Sequence, residues 1–518
     1  MDPLADLRAV IGEDARLERP PQPQFGDYST NAAMLRAPTE RKPPREVAAA
    51  LAEELKQRLG EDVERIDVAG PGFLNLFMSE RWYHRAVAAA IEQAEDFGRG
   101  SAGERILVEF VSANPTGPMT VASARGAAIG DSLARLLEFA GNEVEREYYI
   151  NDYGTQVRLF GESIRARAGG EDPPEGGYQG DYIGELAAEI DGAADRDPEE
   201  LAVLGVEHMM ERVRRTLTRF RVHFERFFSE RSMYEDESVM RVLDRLGEHV
   251  YEHEGARWLR TSDLGDDKDS VLIRSSGEPT YFASDIAYHE VKLGRGYDRV
   301  INIWGADHHG HVKRMLAAWR ALGGSDGALE LLIMQLVNLM EGGQRARMSK
   351  RQGEFVTLDD LIDDIGVDAA RFFLLQRSHD TTIDLDLELA REQSNENPVY
   401  YCQYAHARIA SIIRRTQETG TEPFLAQPAP GTLHPSERLL IKKLLDFPEE
   451  VEIAAERRAP HRLTTYVLAL AQAFSAFYRD CKVVGTPEEG FRLALSLQTQ
   501  RVIARSLDLL GVEAPEQM

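Results

Sequence analysis

Cysteine is almost missing: Cys402 and Cys481 are the only two in 518 residues, and neither belongs to a CxxC pair. That excludes a disulfide framework and a cysteine-ligated zinc site, and it fits a reducing, cytoplasmic setting. Long hydrophobic runs are missing too. No stretch of about eighteen apolar residues occurs, so no membrane span is expected. The opening Met1-Asp2-Pro3-Leu4-Ala5-Asp6 is acidic and has no basic n-region, which argues against a secretory signal. Neither GxxxxGK nor GxGxxG occurs, which excludes a P-loop and leaves dinucleotide binding unsupported. Internal repeats are absent. Positive charge is in short supply, with 61 Lys and Arg against 87 Asp and Glu and a net charge of −26. A body of that sign repels nucleic acid on average. The surplus reads first as a solubilising surface, although Arg408, Arg414 and Arg415 leave room for a local basic track.

What is present is ordinary soluble-protein composition, 43% hydrophobic and 29% charged, in a chain long enough for two to four domains. Three zones punctuate it. Phe97 to Gly103 reads as a flexible hinge, Ala168 to Gly177 as a surface loop, and Gly420 to Thr432 as a Pro/Gly/Thr-rich linker. Residues 1–100 read as a small α+β domain, with helical spacing over Arg45 to Leu59 and two short strands around a turn from Val68 to Phe77. Residues 104–360 alternate strand, loop and helix, the pattern of a parallel-sheet α/β domain. From 361 to 518 the pattern is helical almost throughout, which predicts an all-α bundle.

Arg105 to Ser112 is a near-continuous apolar run, as a strand covered on both faces requires, and Glu109 interrupts it. A carboxylate there needs a partner or a site, or else it faces water at an edge. Ala113 to Pro118 continues as neither helix nor strand. A helix is then predicted from Ser123 to Ala140, with Ile129, Leu133 and Leu136 on one face and Gly141 as its stop. Strand, turn and helix start in that order present backbone N–H groups to a phosphate, although one βα unit among many would look the same.

Four further groups carry possible chemistry. A guanidinium or other cation needs a carboxylate, and Asp285, four residues after Tyr281, shares one side of a helical turn with it. Tyr281 taken alone reads as core packing. Asp307-His308-His309 follows the apolar run Val300 to Trp304, yet adjacent side chains diverge and no third distant ligand is evident, so no metal site is predicted. Gly342 to Arg351 is a glycine-containing basic loop holding Lys350, which alone reads as a solvated turn. Tyr400, Tyr404, Arg408 and Arg415 place aromatic and basic groups along one helix, which suits unpaired bases and phosphates or, equally, core tyrosines with a wet edge.

Longer strings are more specific. Val108-Glu109-Phe110-Val111-Ser112-Ala113-Asn114-Pro115-Thr116-Gly117-Pro118, Arg146 to Asp152, Thr280 to His289, Trp304 to Gly310, Met348-Ser349-Lys350-Arg351 and Asn397 to Arg408 together resemble the class I arginyl-tRNA synthetases. Gly26 to Asn31 resembles that family's extra N-terminal domain, and Leu510 to Pro515 its usual ending, so the likeness spans essentially the whole chain. The resemblance implies a Rossmann-like catalytic domain, ATP with Mg2+, L-arginine and tRNA as substrates and partners, and a monomer. It assigns Tyr281 and Asp285 to the arginine side chain, and Glu109 and Asn114 to its amino end. Ala122, Gly305, Asp307, His309, Met348 and Ser349 fall to the nucleotide, Lys350 to the leaving pyrophosphate, and Tyr400, Tyr404 and Arg408 to the anticodon. One segment departs: the family's His-Val-Gly-His reads Thr120-Val121-Ala122-Ser123 here. Thr120 and Ser123 still donate hydrogen bonds but carry no charge. Losing a charge-assisted donor aimed at a transition state costs roughly a hundredfold in rate. A tRNA-binding paralogue without adenylation is the alternative that this segment raises.

Overall fold

The computed structural model describes residues 4–12, 15–20, 22–346, 356–418 and 432–518. Its first part is an antiparallel sheet of β1 (Leu17–Glu18), β2 (Tyr28–Thr30), β3 (Val63–Ala69) and β4 (Phe73–Met78), in the order β1-β2-β4-β3. The predicted helix runs Pro44–Leu59. Pro44 opens it without wasting an N–H, and Val47, Ala48, Leu51, Ala52, Leu55 and Leu59 form the buried stripe against the sheet. Gly26 has φ +88° and its missing Cβ would lie 2.5 Å from the Leu76 carbonyl oxygen, so no other residue fits there. The turn it makes presents Asp27, whose carboxylate accepts from Met78 N (2.8 Å), Tyr83 Oη (2.6 Å) and, from the C-terminal helices, Lys442 Nζ (3.1 Å).

The expected flexible hinge is instead a packed strap. Gly100 N, Ala102 N and Gly103 N donate to the carbonyls of Phe139, Ala140 and Gly141, and a Cβ on Gly100 would lie 2.4 Å from the Ala140 oxygen. Glycines that signalled freedom in one dimension are there to let two backbones touch.

The central sheet contains β5 (Arg105–Glu109), β6 (Glu143–Ile150) and β7 (Arg226–Ser229). An antiparallel meander follows, of β8 (Val250–His253), β9 (Ala256–Leu259) and β10 (Ser270–Ile273), and then β11 (Arg299–Gly305) and β12 (Leu329–Met334) return to the central sheet. Its order is β12-β11-β5-β6-β7, all parallel, so the chain reverses direction of travel at β5. A ligand crevice opens at such a reversal, beyond the carboxyl ends of the strands. The helix after β5 runs Val121–Phe139 and packs so closely that a Cβ on Gly130 would lie 2.1 Å from the Phe110 ring. β5 ends at Glu109, three residues before the predicted Ser112, because Val111 (φ 69°) and Ser112 (φ 42°) turn left-handed. Strain of that kind collects where a fold must aim side chains.

Three short strands close the architecture: β13 (Val337–Glu341), β14 (Gln344–Arg345) and β15 (Ile383–Asp386). β15 pairs in parallel with β13, so the region beyond 361 is not uninterruptedly helical. The rest of it is. Helices Pro398–Glu418, Pro435–Leu445, Phe447–Glu456, His461–Asp480 and Glu489–Leu509 form a bundle around Leu463, Val467, Leu470, Phe474 and Phe477. The punctuation zone from Gly420 lies, but for Thr432, outside the described residues.

Candidate active site

Beyond the ends of β5 and β6 lies a cluster of acidic groups with a tyrosine, and its members come from four separate elements. Asp285 stands one turn into the helix Tyr281–Gly294, which Thr280 caps. Glu230 opens the short helix after β7 and is buried. Glu109 ends β5, and Tyr149 comes up from β6 between rings of Tyr288 (4.6 Å) and Phe228 (6.2 Å). Burial, helped by the charge of Glu109 and opposed by Lys292, raises the Asp285 carboxyl to about 7. Burial also raises Glu230 to about 8, aided by the charges of Asp285 and Asp152 and opposed by a hydrogen bond from Tyr149. Among the described residues no hydrogen bond or ion pair reaches the Asp285 carboxylate. Desolvation of this kind favours the protonated carboxyls, and an entering cation favours the ionised ones.

Glu109 already has a cation. Lys292 Nζ donates to its Oε2 (2.6 Å) and to Asn302 Oδ1 (2.9 Å). Asn302 Nδ2 lies 2.9 Å from His289 Nε2, whose Nδ1 is 2.7 Å from the Asp285 carbonyl oxygen. Since Asn302 Nδ2 is a donor, Nε2 accepts and the ring carries its proton on Nδ1. Burial and Lys292 lower this imidazole to about 3, so it stays neutral. The other Glu109 oxygen accepts from Ser112 Oγ (2.8 Å), one of the strained residues. The sequence-predicted Glu109 and Asp285 thus share one site. Tyr281, 62% exposed, stands at its rim, and Asn114 is exposed with its Oδ1 bound by Asn151 Nδ2 (3.2 Å). Glu230, Lys292, Asn302 and Tyr149 were missed. An acid at a helix start is common, so Glu230 carried no local signal.

On the β11 side of β5 the residues expected to meet a nucleotide form a second rim. Thr120 is the N-cap of helix Val121–Phe139, its Oγ1 3.5 Å from both Ser123 N and Ser123 Oγ. Ala122 is exposed in that first turn. Gly305 ends β11, and Asp307 and His309 lie exposed in the turn Ala306–His311 that follows. Val121 N donates to Val356 O (3.3 Å) and Leu358 N to Met119 O (2.8 Å), so the chain leaving the basic loop is tied to the Thr120 turn. Met348, Ser349 and Lys350 themselves lie outside the described residues. Among those described, no group of three or more His, Cys, Asp or Glu side chains could hold a metal ion.

On the bundle, Tyr400 and Tyr404 stack (6.3 Å, 7°), and the Arg408 guanidinium lies over Tyr404 (4.6 Å) and Tyr478 (5.3 Å). Tyr404 and Tyr478 are exposed, so this is a wet aromatic and cationic face rather than core.

A parallel sheet that reverses at β5, followed by a helical bundle, is the architecture of a class I aminoacyl-tRNA synthetase, and the comparisons agree. The model of tRNA synthetases class I (R), catalytic domain, matches residues 87–168 and 192–413. That of the arginyl tRNA synthetase N terminal domain matches 3–78, and that of the DALR anticodon binding domain 402–518. An arginine–tRNA ligase of Caldanaerobacter subterraneus is 44% identical, with 98% of this chain and 94% of the relative covered. That of Bacillus subtilis is also 44% identical, at 99% and 97%. Among solved structures, the Thermus thermophilus arginyl-tRNA synthetase superposes with TM-score 0.77 at 25% identity, covering 99% of this chain and 100% of that one. The Campylobacter jejuni protein described as a putative arginyl tRNA synthetase gives 0.79 at 35%, over 85% and 100%. The chain belongs to the arginyl-tRNA synthetase family. No described helix is long and apolar enough to cross a membrane.

Proposed function

We propose that the chain, an arginine–tRNA ligase, seats the L-arginine guanidinium against Asp285 and Glu230. Tyr281 covers the side chain, and Glu109 and Asn114 engage the amino end. One observation carries this reading: two carboxyls brought together from different elements, Glu230 buried and Asp285 half-buried, both raised by desolvation well above the ordinary carboxylate range. A planar guanidinium answers both with paired N–H donors and restores their ionised forms. Glu109 faces the amino end already fixed by Lys292 and Ser112, so it arrives oriented.

ATP, which the class uses, would lie across the Thr120 turn and the end of β11. Ala122, Gly305, Asp307 and His309 would line it, with Met348 and Ser349 closing from the basic loop. The arginine carboxylate oxygen attacks the α-phosphorus, the new C–O–P bond forms, and pyrophosphate leaves with its negative charge offset by Lys350. The terminal adenosine 2′-hydroxyl of the tRNA then attacks the acyl carbon, loses its proton, and AMP departs. Mg2+ would be held by the nucleotide and would supply charge neutralisation there. The Thr120 hydroxyl caps the helix, and the positive end of that helix would face the phosphates. Residues 1–100 would touch the tRNA, 104–360 perform the chemistry, and 361–518, through Tyr400, Tyr404 and Arg408, read the anticodon. We take the enzyme to act as a cytoplasmic monomer.

Arginine-dependent ATP–pyrophosphate exchange, run with and without tRNA, tests this. Exchange is expected with tRNA present, and Asp285→Ala should abolish it while ATP binding persists. Equal arginine affinity in that variant would overturn the pocket. No exchange under any condition, alongside intact tRNA binding, would make the chain a paralogue without adenylation.

A further inference from the structure

Arg125 stands in the second turn of the helix Val121–Phe139 and is wholly buried. Its guanidinium is held by carbonyl oxygens. Nη1 donates to Gln335 O (2.6 Å) and Leu336 O (3.3 Å), and Nη2 to Ser378 O (2.9 Å) and Thr381 O (2.7 Å). Among the described residues Nε has no hydrogen-bond partner, and no carboxylate pairs with the group. Burial lowers its pKa to about 10, opposed by the charge of Asp380. A buried cation without an ion-pair partner is costly, and an apolar side chain of similar length would fill the space without that cost. The fork therefore matters for what it joins.

It joins two distant segments. Gln335 and Leu336 connect β12 to β13, and Ser378 and Thr381 lie between the helix Leu358–Leu374 and β15. β13 and β15 pair in parallel, and Ile383 N donates to the same Leu336 oxygen (3.1 Å). Arg125 thus grips the point from which both strands set out. From β13 the chain passes through β14 towards Lys350, and it returns at Val356 and Leu358, whose backbones meet Val121 and Met119. The strand that leads to the basic loop is held by the side chain at 125, and the segment that leaves it by the backbone at 119 and 121. Both anchors belong to the one helix start that Thr120 caps. We infer that Arg125 is a positioning residue for adenylate formation: by fixing β13 against this helix start, it sets where the Lys350 ammonium meets the leaving pyrophosphate. This rests on the nucleotide rim and the Lys350 role proposed above. A lysine at 125 keeps the charge but not the planar fork, so it cannot hold both segments. Misplacement of a reacting group by about 1 Å costs about a hundredfold in rate.

The test is a double-mutant cycle on the full-length enzyme, read as kcat for arginine-dependent ATP–pyrophosphate exchange with tRNA present. Arg125→Lys should lower kcat by about a hundredfold and leave KM for arginine near the parent's. Lys350→Ala should lower kcat as well. The double variant should be little worse than Lys350→Ala alone, because a misplaced ammonium and a missing one lose the same contact. Transfer from preformed arginyl-adenylate to tRNA releases no pyrophosphate, and Arg125→Lys should leave it unchanged. Arg125→Gln, which buries no charge, makes the same comparison if the lysine variant does not fold. Losses that multiply in the double variant, or a transfer step slowed as much as exchange, would overturn the inference and leave Arg125 a packing residue. A parent without any exchange would take the ligase reading down with it.

Discussion

Asp285 and Glu230 illustrate how a site of two or three residues can be read from charge alone. Their ordinary values are 3.8 and 4.5, and in the folded protein they stand at about 7 and about 8. A guanidinium favours the ionised forms, so arginine binding near pH 7 should release about one proton. Calorimetry in buffers of different ionisation enthalpy measures it. Affinity should rise with pH through about 7 and about 8 and level off near pH 9. Stability without arginine has the opposite slope. Both folded values lie above the unfolded ones, so the folded chain holds more protons and loses stability as pH rises from about 4 to about 8. No proton release at pH 7 would mean the acids are already ionised, and the burial argument would fail.

Elements were legible where local pattern suffices. The predicted helix from Ser123 to Ala140 is Val121–Phe139, and the apolar run beginning at Arg105 is β5. Their contact was not legible. Gly130 reads as a weak point in a helix, yet the Phe110 ring occupies the place of its Cβ. Gly130→Ala should therefore destabilise the protein by about 1–3 kcal/mol or more, where an exposed helical Gly→Ala would stabilise it. Chemical denaturation reads the sign directly. The Phe97 to Gly103 hinge failed for a related reason, since its glycines serve close contact with Phe139, Ala140 and Gly141.

Across the whole molecule, a fully buried arginine helps fasten the bundle's end to the catalytic domain, alongside Arg135 on Asp508 and Arg221 on Gly511. Arg371 donates through Nε to Leu510 O (2.8 Å), through Nη1 to Phe220 O (2.9 Å), and through Nη2 to Asp131 Oδ2 (2.6 Å). Gly511 must be glycine, because its Cβ would lie 2.2 Å from the Arg371 guanidinium carbon. Arg371→Met should cost about 3–5 kcal/mol, since it strands buried acceptors in three segments. Urea unfolding should show it, and a loss under about 1 kcal/mol would mean the contacts are not tight. The net charge of −26 finds its exception in the Tyr404, Arg408 and Tyr478 face, where cation and rings gather locally.

By itself the sequence determined what depends on neighbours along the chain: the βα unit after Arg105, the helical spacing that puts Tyr281 and Asp285 one turn apart, the want of P-loop and metal motifs, and the family strings. Tertiary structure alone decided who meets whom across it. Lys292 reaches Glu109 over 183 positions, Arg371 reaches Asp131 over 240, and Arg125 reaches Thr381 over 256. Periodicity encodes which face of an element is apolar, but the strand order β12-β11-β5-β6-β7 fixes which loops share a rim. Glu230 comes to the site only because β7 is seated beside β6, which nothing along the chain near it encodes.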